Sequence, residues 1–322
     1  MAPSVPATSL AVVLAICSFP LFTSADAAQP KTPPVLDVPP GDTGRRITEE
    51  GLLANYFPAR QKGPAVLALT GSVGGLTSTD TSIALQAEGF SVLLLSYFRG
   101  PGQNPNAELV PLEYFATALA WLRRQPEVDS ARVGIVGVSK GAEAALVVAV
   151  RHPELKAVVA ALPSSVVWPG IIWERRTGPI SSSWSEQGKP VSHLPHVPFD
   201  ASKGGTMADN YAVSLTALPR YPEAVIPVER IAGPVFLVCA EEDRVWPSCP
   251  MARQIQERLR GHGRLDSTLL AYQDAGHAAF GPPTPSNDPR LADSGGTVQG
   301  TSAARADSWK KAIGFLKATL GQ

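Results

Sequence analysis

Residues 132–150, RVGIVGVSKGAEAALVVAV, contain the segment that decides the fold. An apolar run ends in Gly137-Val138-Ser139-Lys140-Gly141, and an alanine-rich run with helical character follows it. A G-x-S-x-G sequence between a strand and a helix is typical of a sharp, strained turn that lifts a serine hydroxyl clear of a sheet. The flanking glycines allow such a turn to pack without Cβ clashes. This context predicts that Ser139 is a nucleophile.

Apolar runs and amphipathic segments alternate on both sides of this turn. The runs predict strands at residues 64–70, 91–97, 132–138, 156–162, 235–240 and 268–272. The amphipathic segments predict helices at residues 79–88, 112–124, 141–151, 251–259 and 304–320. Strands of continuous Val, Ile and Leu separated by helices indicate an α/β protein with a mostly parallel central sheet and helices on both faces.

One long interval, residues 163–227, breaks the alternation and is rich in Pro, Ser, Gly and Trp. Long irregular segments in compact domains tend to be functional. We therefore expect one catalytic domain over residues 44–322, with an inserted lid at about 163–227 over the carboxyl edge of the sheet.

The composition bounds the class of protein. The chain has 322 residues, 44% of them hydrophobic, with 28 basic and 28 acidic side chains. That length and apolar content suit a folded domain with a large core. A net charge of zero gives no electrostatic footprint for nucleic acid, so we expect no nucleic-acid partner. Three cysteines form no zinc pattern, and we expect no metal or organic cofactor.

The first 43 residues differ from the rest. Residues 10–22 are apolar but too short to span a bilayer, which needs about 20 residues. The small residues at 24–28, SADAA, suit a signal-peptidase site, so residues 1–28 predict a secretory signal and an exported protein without a membrane span once mature. No Lys or Arg precedes Leu10, and the alternative is an uncleaved arm on a cytoplasmic protein. Residues 29–43 form a proline-rich lead-in.

A serine nucleophile needs a histidine base, which in turn needs a carboxylate. His277 follows the strand at 268–272, where a hydrolase of this topology delivers its base. The other four histidines are expected at a helix end, in a glycine turn and in the lid: His152, His262, His193 and His196. The last two are three residues apart, but the intervening proline excludes a regular helix and no carboxylate partner is evident, so we expect no metal there.

Three acidic residues follow the strand at 235–240. Asp243 is placed furthest into the loop, whereas Glu241 and Glu242 lie nearer the strand end. Asp274 is a second candidate, although only three residues before His277 it suits a role in the turn. The chain order Ser139, Asp243, His277 is the order found in α/β-hydrolases, which makes Asp243 the predicted partner of the histidine.

Two backbone N–H groups should form the oxyanion hole. One is predicted from Lys140, the residue after the nucleophile. The second is predicted from the loop TGSVGGL at 70–76, from Ser72 or alternatively from Val73. This glycine-rich loop lacks the motifs of phosphate-binding loops.

Tryptophans and cysteines give weaker signals. Trp168 in the insertion and Trp246 in the Asp243 loop are candidates for the substrate pocket, although packing of the lid explains Trp168 equally well. Cys239 is expected to be a core thiol within its strand, and Cys249 follows the Asp243 loop. Pairing of the two in an oxidising compartment is the alternative.

Several long segments resemble the bile acid-CoA:amino acid N-acyltransferase/acyl-CoA thioester hydrolase family in its C-terminal α/β-hydrolase domain, which is close to dienelactone hydrolases. They include GLLANYFPA, GFSVLLLSYF, VPLEYFATALAWLRRQPEVD, GIVGVSKGAEAAL, IPVERIAGPVFLVCAEEDRVWPS and DAGHAAFGPP. The resemblance places the family's triad on Ser139, Asp243 and His277. In this family, larger relatives carry an N-terminal β-sandwich, which we do not expect within these 322 residues, and the amino-acid-conjugating members use a cysteine nucleophile. A serine therefore implies hydrolysis by water.

The sequence thus predicts a serine hydrolase that cleaves an acyl ester or thioester of a small molecule through an acyl-enzyme. The alternatives are a cytoplasmic acyl-CoA thioesterase or acyltransferase, and a hydrolase-like binding protein without turnover. Coenzyme A would need a basic groove, and the insertion offers scattered cations: Arg175, Arg176, Lys189, Lys203 and Arg220. The acyl chain, the leaving group and the oligomeric state are left open.

Overall fold

The computed structural model describes residues 35–174, 178–198 and 205–321. The predicted signal segment and residues 29–34 of the lead-in lie outside these residues, as do Arg175, Arg176 and Lys203. The described part of the lead-in runs without strand or helix to the first strand. None of the helices in the described part of the chain is both long enough and apolar enough to cross a membrane.

The described residues form eleven strands, six helices and several short 3₁₀ turns. The strands are β1 (Arg45–Ile47), β2 (Ala54–Phe57), β3 (Gly63–Leu69), β4 (Ser91–Leu95), β5 (Val110–Pro111), β6 (Val128–Val138), β7 (Ala157–Ala161), β8 (Trp184–Glu186), β9 (Lys189–Pro190), β10 (Val235–Ala240) and β11 (Ser267–Tyr272). The helices are α1 (Thr79–Ala87), α2 (Leu112–Arg123), α3 (Lys140–Ala149), α4 (Met207–Leu215), α5 (Ser248–Gly261) and α6 (Val298–Leu320).

Eight strands form the central sheet in the order β1-β2-β4-β3-β6-β7-β10-β11. The six from β4 to β11 are parallel, and β2 pairs antiparallel with both β1 and β4. The chain winds outward from β3 to β4 in one direction and from β6 to β11 in the other. The topological switch point therefore lies between β3 and β6, where open parallel sheets place their ligand sites.

Both faces of the sheet are covered, which explains why its strands are continuously apolar. One hydrophobic cluster packs residues of α2, α3 and α5 against the sheet, including Phe115, Leu146 and Ile255. The other packs α1 and α6 against the opposite face, including Leu85 and Leu316. The predicted mostly parallel sheet with helices on both faces is confirmed.

Local signals explain where the elements depart from their predicted bounds. Helix α6 begins at Val298, six residues before its predicted start, because the Thr297 hydroxyl caps it by accepting from the N–H of Gly300 at 2.9 Å. Helix α4 was not predicted, although Thr206 and Asp209 form a capping box at its start. The short strands β5, β8 and β9 form a separate three-stranded sheet.

The interval between β7 and β10 contains β8, β9 and α4, and it contributes most of a small hydrophobic cluster. That cluster joins Trp168 and Leu194 of the interval to Trp246 and Met251. Since Trp246 lies three residues after Asp243, the interval packs on the loop that follows β10. Its action as a lid stays a prediction.

Candidate active site

Ser139 lies in a strained turn between β6 and α3. Its backbone has φ 57° and ψ −122°, a conformation that costs a non-glycine residue about 1–3 kcal/mol. The Ser139 N–H donates to the carbonyl of Ala161 at the end of β7, at 2.8 Å. A Cβ on Gly137 would overlap the Gly141 carbonyl, and one on Gly141 would overlap the Thr70 carbonyl. Both glycines of the motif are therefore required by close backbone approach.

A chain of hydrogen bonds links the three residues predicted as the triad. Nε2 of His277 lies 2.8 Å from Oγ of Ser139, and Nδ1 of His277 lies 2.8 Å from Oδ2 of Asp243. The Asp243 side chain is 1% exposed and that of His277 is 15% exposed. This arrangement orients the imidazole with one nitrogen toward the hydroxyl and the other toward a buried carboxylate.

Asp243 is held by the backbone of its own loop. Its Oδ1 accepts from the N–H groups of Val245 at 2.9 Å and Trp246 at 3.3 Å, which leaves Oδ2 for the histidine. Glu241 pairs instead with Arg253, and Glu242 is exposed. The structure therefore brings Asp243, rather than either glutamate, to His277.

A second loop, which the sequence analysis missed, joins the aspartate and histidine loops. The carbonyl of Ser294 accepts from the N–H groups of Arg244 at 3.1 Å and His277 at 3.2 Å. The adjacent glycines form isolated bridges, Gly295 with Asp243 and Gly296 with Ala275. The Gly295-Gly296 pair was the available signal for this close approach. Asp274 serves the turn, since its carbonyl accepts from Thr297 at the start of α6.

The proposed oxyanion loop lies beside the serine. A Cβ built on Gly71 would lie 3.4 Å from Cβ of Ser139. Ser72 and Val73 follow in the same turn and are half-buried. Lys140 is the first residue of α3, where backbone N–H groups lack partners within the helix. Both predicted sources of donors are therefore near Ser139, and Ser72 and Val73 stay alternatives.

Two side chains from the segment after β4 hold this loop, which the sequence did not indicate. The hydroxyl of Tyr97 donates to the Thr70 carbonyl at 2.7 Å, and the Arg99 guanidinium donates to the Val73 carbonyl at 3.2 Å. The Arg99 guanidinium carbon lies 3.9 Å from the ring centroid of Trp173. These contacts hold the loop at two of its carbonyls, those of Thr70 and Val73.

An ion pair is buried immediately beside the nucleophile. Nζ of Lys140 lies 2.7 Å from Oε2 of Glu143, with the two side chains 3% and 0% exposed. Burial lowers the pKa of Lys140 and raises the pKa of Glu143, while their mutual attraction opposes both shifts. Breaking such a pair by removing one partner costs about 3–5 kcal/mol, because the other charge stays buried.

The candidate pocket tryptophans lie at different distances from the histidine. The ring of Trp246 is 6.1 Å from that of His277, and its Nε1 donates to the Leu162 carbonyl. Trp168 is farther along a row of rings: it contacts Tyr211, which contacts Trp246. Trp246 therefore adjoins the site directly, whereas Trp168 belongs to the core of the insertion.

The other histidines have separate surroundings. His196 stacks on Trp168 with centroids 5.4 Å apart, and burial, followed by the charge of Lys140, lowers its pKa to about 4. His152 lies 3.0 Å from Glu154, and His262 contacts the Arg258 carbonyl at a helix end. Among the described residues, no three His, Cys, Asp or Glu side chains group closely enough to hold a metal ion.

Cys239 and Cys249 form a disulfide, so the expectation of a free core thiol at Cys239 is wrong. Their Cα atoms lie 4.9 Å apart, because α5 begins at Ser248 and brings its first turn back beside the end of β10. The loop enclosed by the bond contains Asp243. The disulfide thus ties both ends of the segment that carries the aspartate.

The larger of two described cavities, about 570 Å³, lies at the carboxyl end of α3. Its charged lining consists of three cations and two carboxylates: Arg151, Lys189, Arg230, Glu186 and Glu223. The second cavity, about 310 Å³, is lined by residues that include Gln254 and Arg258. Neither cavity includes Ser139, Asp243 or His277.

The parallel sheet, the strained serine turn at its switch point and the Ser–His–Asp contacts together define an α/β hydrolase. The chain belongs to the BAAT / Acyl-CoA thioester hydrolase C terminal family, whose model matches residues 110–322. The resemblance drawn from the sequence is therefore confirmed.

Named relatives and solved structures agree with this membership. Acyl-coenzyme A thioesterase 6 of Mus musculus is 29% identical over 298 residues, covering 87% of this chain and 66% of its own. Bile acid-CoA:amino acid N-acyltransferase of Homo sapiens is 29% identical over 305 residues, covering 91% and 70%. The chain thus spans about two thirds of the length of these relatives.

Two solved structures are similar in fold alone. A putative dienelactone hydrolase from Klebsiella pneumoniae aligns with a TM-score of 0.53 at 15% identity, covering 87% of this chain and 97% of its own. A puromycin-hydrolyzing peptidase of Mycobacterium tuberculosis aligns with a TM-score of 0.56 at 17% identity, covering 86% and 39%.

Replacing Asp243 by asparagine should lower kcat for ester hydrolysis on the order of 10⁴-fold, because the amide favours the wrong tautomer of His277. Glu242→Gln is the matched control on the same loop, and it should change kcat by less than about twofold, as exposed sites away from the reacting atoms do. Both variants are compared by steady-state kinetics at one pH. A larger loss in Glu242→Gln than in Asp243→Asn would show that Asp243 does not orient the histidine.

Proposed function

We propose that this protein is a serine hydrolase that cleaves an acyl ester or thioester through an acyl-enzyme on Ser139. The observation that carries the proposal is the continuous contact from Ser139 through His277 to Asp243, with 2.8 Å at each step. These separations match the hydrogen-bond reach that general-base activation of a serine requires.

In the first half-reaction, Oγ of Ser139 attacks the acyl carbonyl carbon while Nε2 of His277 takes the hydroxyl proton. Asp243 accepts from Nδ1 and stabilises the imidazolium that forms. The tetrahedral intermediate then collapses, and His277 gives the proton to the departing alcohol or thiol. The products of this step are the free leaving group and an ester of Ser139.

Water completes the cycle in the second half-reaction. His277 takes a proton from water, and the resulting hydroxide attacks the acyl carbon of the Ser139 ester. Collapse of the second intermediate returns the proton to Oγ and releases the carboxylic acid. Donors aimed at the oxyanion contribute about 10²–10³ each to such steps. We assign this role to the N–H of Lys140 and to that of Ser72, with Val73 as the alternative.

Family membership supports an acyl ester or thioester as the substrate class. Relatives are named as an acyl-coenzyme A thioesterase and a bile acid-CoA:amino acid N-acyltransferase, so a CoA thioester is the second candidate substrate. Charge weighs against a strong preference for CoA. The three cations lining the 570 Å³ cavity are offset in part by Glu186 and Glu223, and Arg151 already pairs with Glu186. At physiological ionic strength, salt screens the attraction between charges over about 8 Å, so isolated cations are weak ligands for phosphate.

Turnover of a matched substrate panel tests the proposal. Purified protein should hydrolyse a p-nitrophenyl ester, an acyl-pantetheine and the corresponding acyl-CoA, with kcat/KM for the two thioesters within about tenfold. Ser139→Ala should lower kcat on the best substrate on the order of 10⁴-fold or more, as loss of one member of a catalytic unit does.

Three outcomes would contradict this account. A folded Ser139→Ala variant with wild-type kcat would show that Ser139 is not the nucleophile. A hundredfold preference for acyl-CoA over acyl-pantetheine would show that the enzyme recognises the CoA moiety, and it would favour the alternative function of a CoA thioesterase. Absence of turnover on every substrate would favour the binding protein without catalysis.

We also propose that the protein is exported. Residues 10–28 supply the apolar run and the small residues of a secretory signal, and the Cys239–Cys249 bond is of a kind that persists in oxidising compartments. An exported location would separate the enzyme from cytosolic CoA esters. It therefore agrees with a substrate whose leaving group is not CoA.

A reporter active only outside the cytoplasm, fused after residue 32, should be active. The matched control carries Val13→Arg, which places a charge in the apolar run and should abolish the signal. Equal activity of both fusions, or no activity of either, would contradict export through this segment.

A further inference from the structure

The carboxylate of Glu143 lies one helical turn along α3 from Ser139 and is fully buried. Donors from three places in the chain converge on it. Its Oε2 accepts from Nζ of Lys140 at 2.7 Å. Its Oε1 accepts from the backbone N–H of Trp168 at 3.2 Å and from Nε1 of Trp184 at 2.9 Å. One side chain therefore joins the nucleophile helix to two points of the insertion.

Packing alone does not account for a charge at this position. Glutamate is almost never fully buried unless it is paired, and an apolar side chain of similar volume is often as stable as a buried ion pair. The Lys140 ammonium is held there as well, 5.4 Å from the Trp184 ring centroid. Lys140 is also the residue whose N–H the proposed mechanism uses for the oxyanion. The pair is therefore placed where a small displacement affects the reacting atoms.

We propose that Glu143 is a positioning residue, whose carboxylate holds the first turn of α3, and with it the N–H of Lys140, against the insertion at Trp168 and Trp184. The inference rests on the proposed serine mechanism and deepens it. Displacements of about 1 Å in positioned groups can lower rates a hundredfold. Glu143 touches no reacting atom, so it acts through Lys140 and the turn at Ser139.

Removing only the charge of Glu143 should make catalysis depend on the protonation of Lys140. In Glu143→Gln the amide oxygen still accepts from the tryptophans, but the ammonium has no counter-charge. A buried cation in that state is relieved either by moving toward water or by losing its proton. Movement displaces the first turn of α3, whereas deprotonation does not. The variant should therefore be impaired at low pH and recover as the pH rises.

Other titratable groups face the pair and are unchanged in this variant. Burial lowers the pKa of His193 and of His196 in the insertion, and the charge of Lys140 adds a smaller lowering to each. Burial, followed by the charge of Glu143, raises the pKa of Tyr97 on the strand side. The pKa of His196, about 4, and the raised pKa of Tyr97 keep these two groups neutral between pH 6 and 9, and His193 is the same residue in wild type and variant. A new ionisation in that range would thus belong to Lys140.

The test measures the rate at which a fluorophosphonate modifies Ser139. Oγ attacks phosphorus, fluoride leaves, and His277 takes the hydroxyl proton, so the rate reports the activated serine and its oxyanion donors. The limiting rate constant for Glu143→Gln should be at least tenfold below wild type at pH 6 and within about threefold at pH 9. The probe concentration for half-maximal rate should stay within about twofold.

Two comparisons isolate the cause. Asp129→Asn removes the acid of another i,i+3 ion pair, Asp129 with Arg132, and should leave the rate unchanged at both pH values. In the double variant Lys140→Met with Glu143→Gln, the ratio of the wild-type rate constant to the variant rate constant should no longer depend on pH. The inference is overturned if the ratio of the wild-type rate constant to that of Glu143→Gln is below two at pH 6, or if this ratio is the same at pH 6 and pH 9.

A second pair of variants covers the case in which Glu143→Gln does not fold. Lys140→Met with Glu143→Gln keeps an acceptor for both tryptophan donors, whereas Lys140→Met with Glu143→Leu does not. The first should be modified at least fivefold faster than the second, and equal rates overturn the inference. Failure of the wild-type protein to react at Ser139 would instead refute the proposed function. The two failures are therefore distinguishable.

Discussion

The backbone strain at Ser139 is the constraint on which the site depends. A serine at φ 57° persists because its N–H is bound by the end of β7 and its neighbours Gly137 and Gly141 are packed against other backbone atoms. The same close packing brings the start of α3 beside the end of β3. The nucleophile and the loop proposed to carry the second oxyanion donor are thus set by one contact, between the start of α3 and the end of β3, at the switch point of the sheet.

The rest of the site consists of loops that neighbouring backbone and side-chain groups hold in place. The aspartate loop is bound by its own backbone amides, by the Ser294 carbonyl and by the disulfide between Cys239 and Cys249. The proposed oxyanion loop is bound by Tyr97 and Arg99. Preorganisation of this kind allows fixed dipoles to stabilise charge without reorganising during the reaction. The buried Glu143 extends the same principle to the insertion.

Sequence predicted the parts of the site that have a local or ordered signature. Ser139 was found because glycines flank it between a strand and a helix, and His277 and Asp243 because each follows a parallel strand in a fixed chain order. The disulfide could not be predicted from the sequence, since the distance between its cysteines depends on where α5 starts. The role of Glu143 required knowing that Trp184, 41 residues away, returns to the same helix. Helix α4 was missed because its capping box stands in a proline-rich interval without a clear apolar period.

The central claim is that the acyl group is transferred to Ser139. Its direct test is acid quenching during turnover of a slowly hydrolysed ester, followed by trypsin digestion and mass spectrometry. Trypsin releases residues 133–140, VGIVGVSK, as one short peptide that contains Ser139 as its only hydroxyl side chain. The account predicts that this peptide carries the mass of the acyl group. Turnover with the acyl group on another peptide, or with no acyl adduct on any peptide, would contradict it.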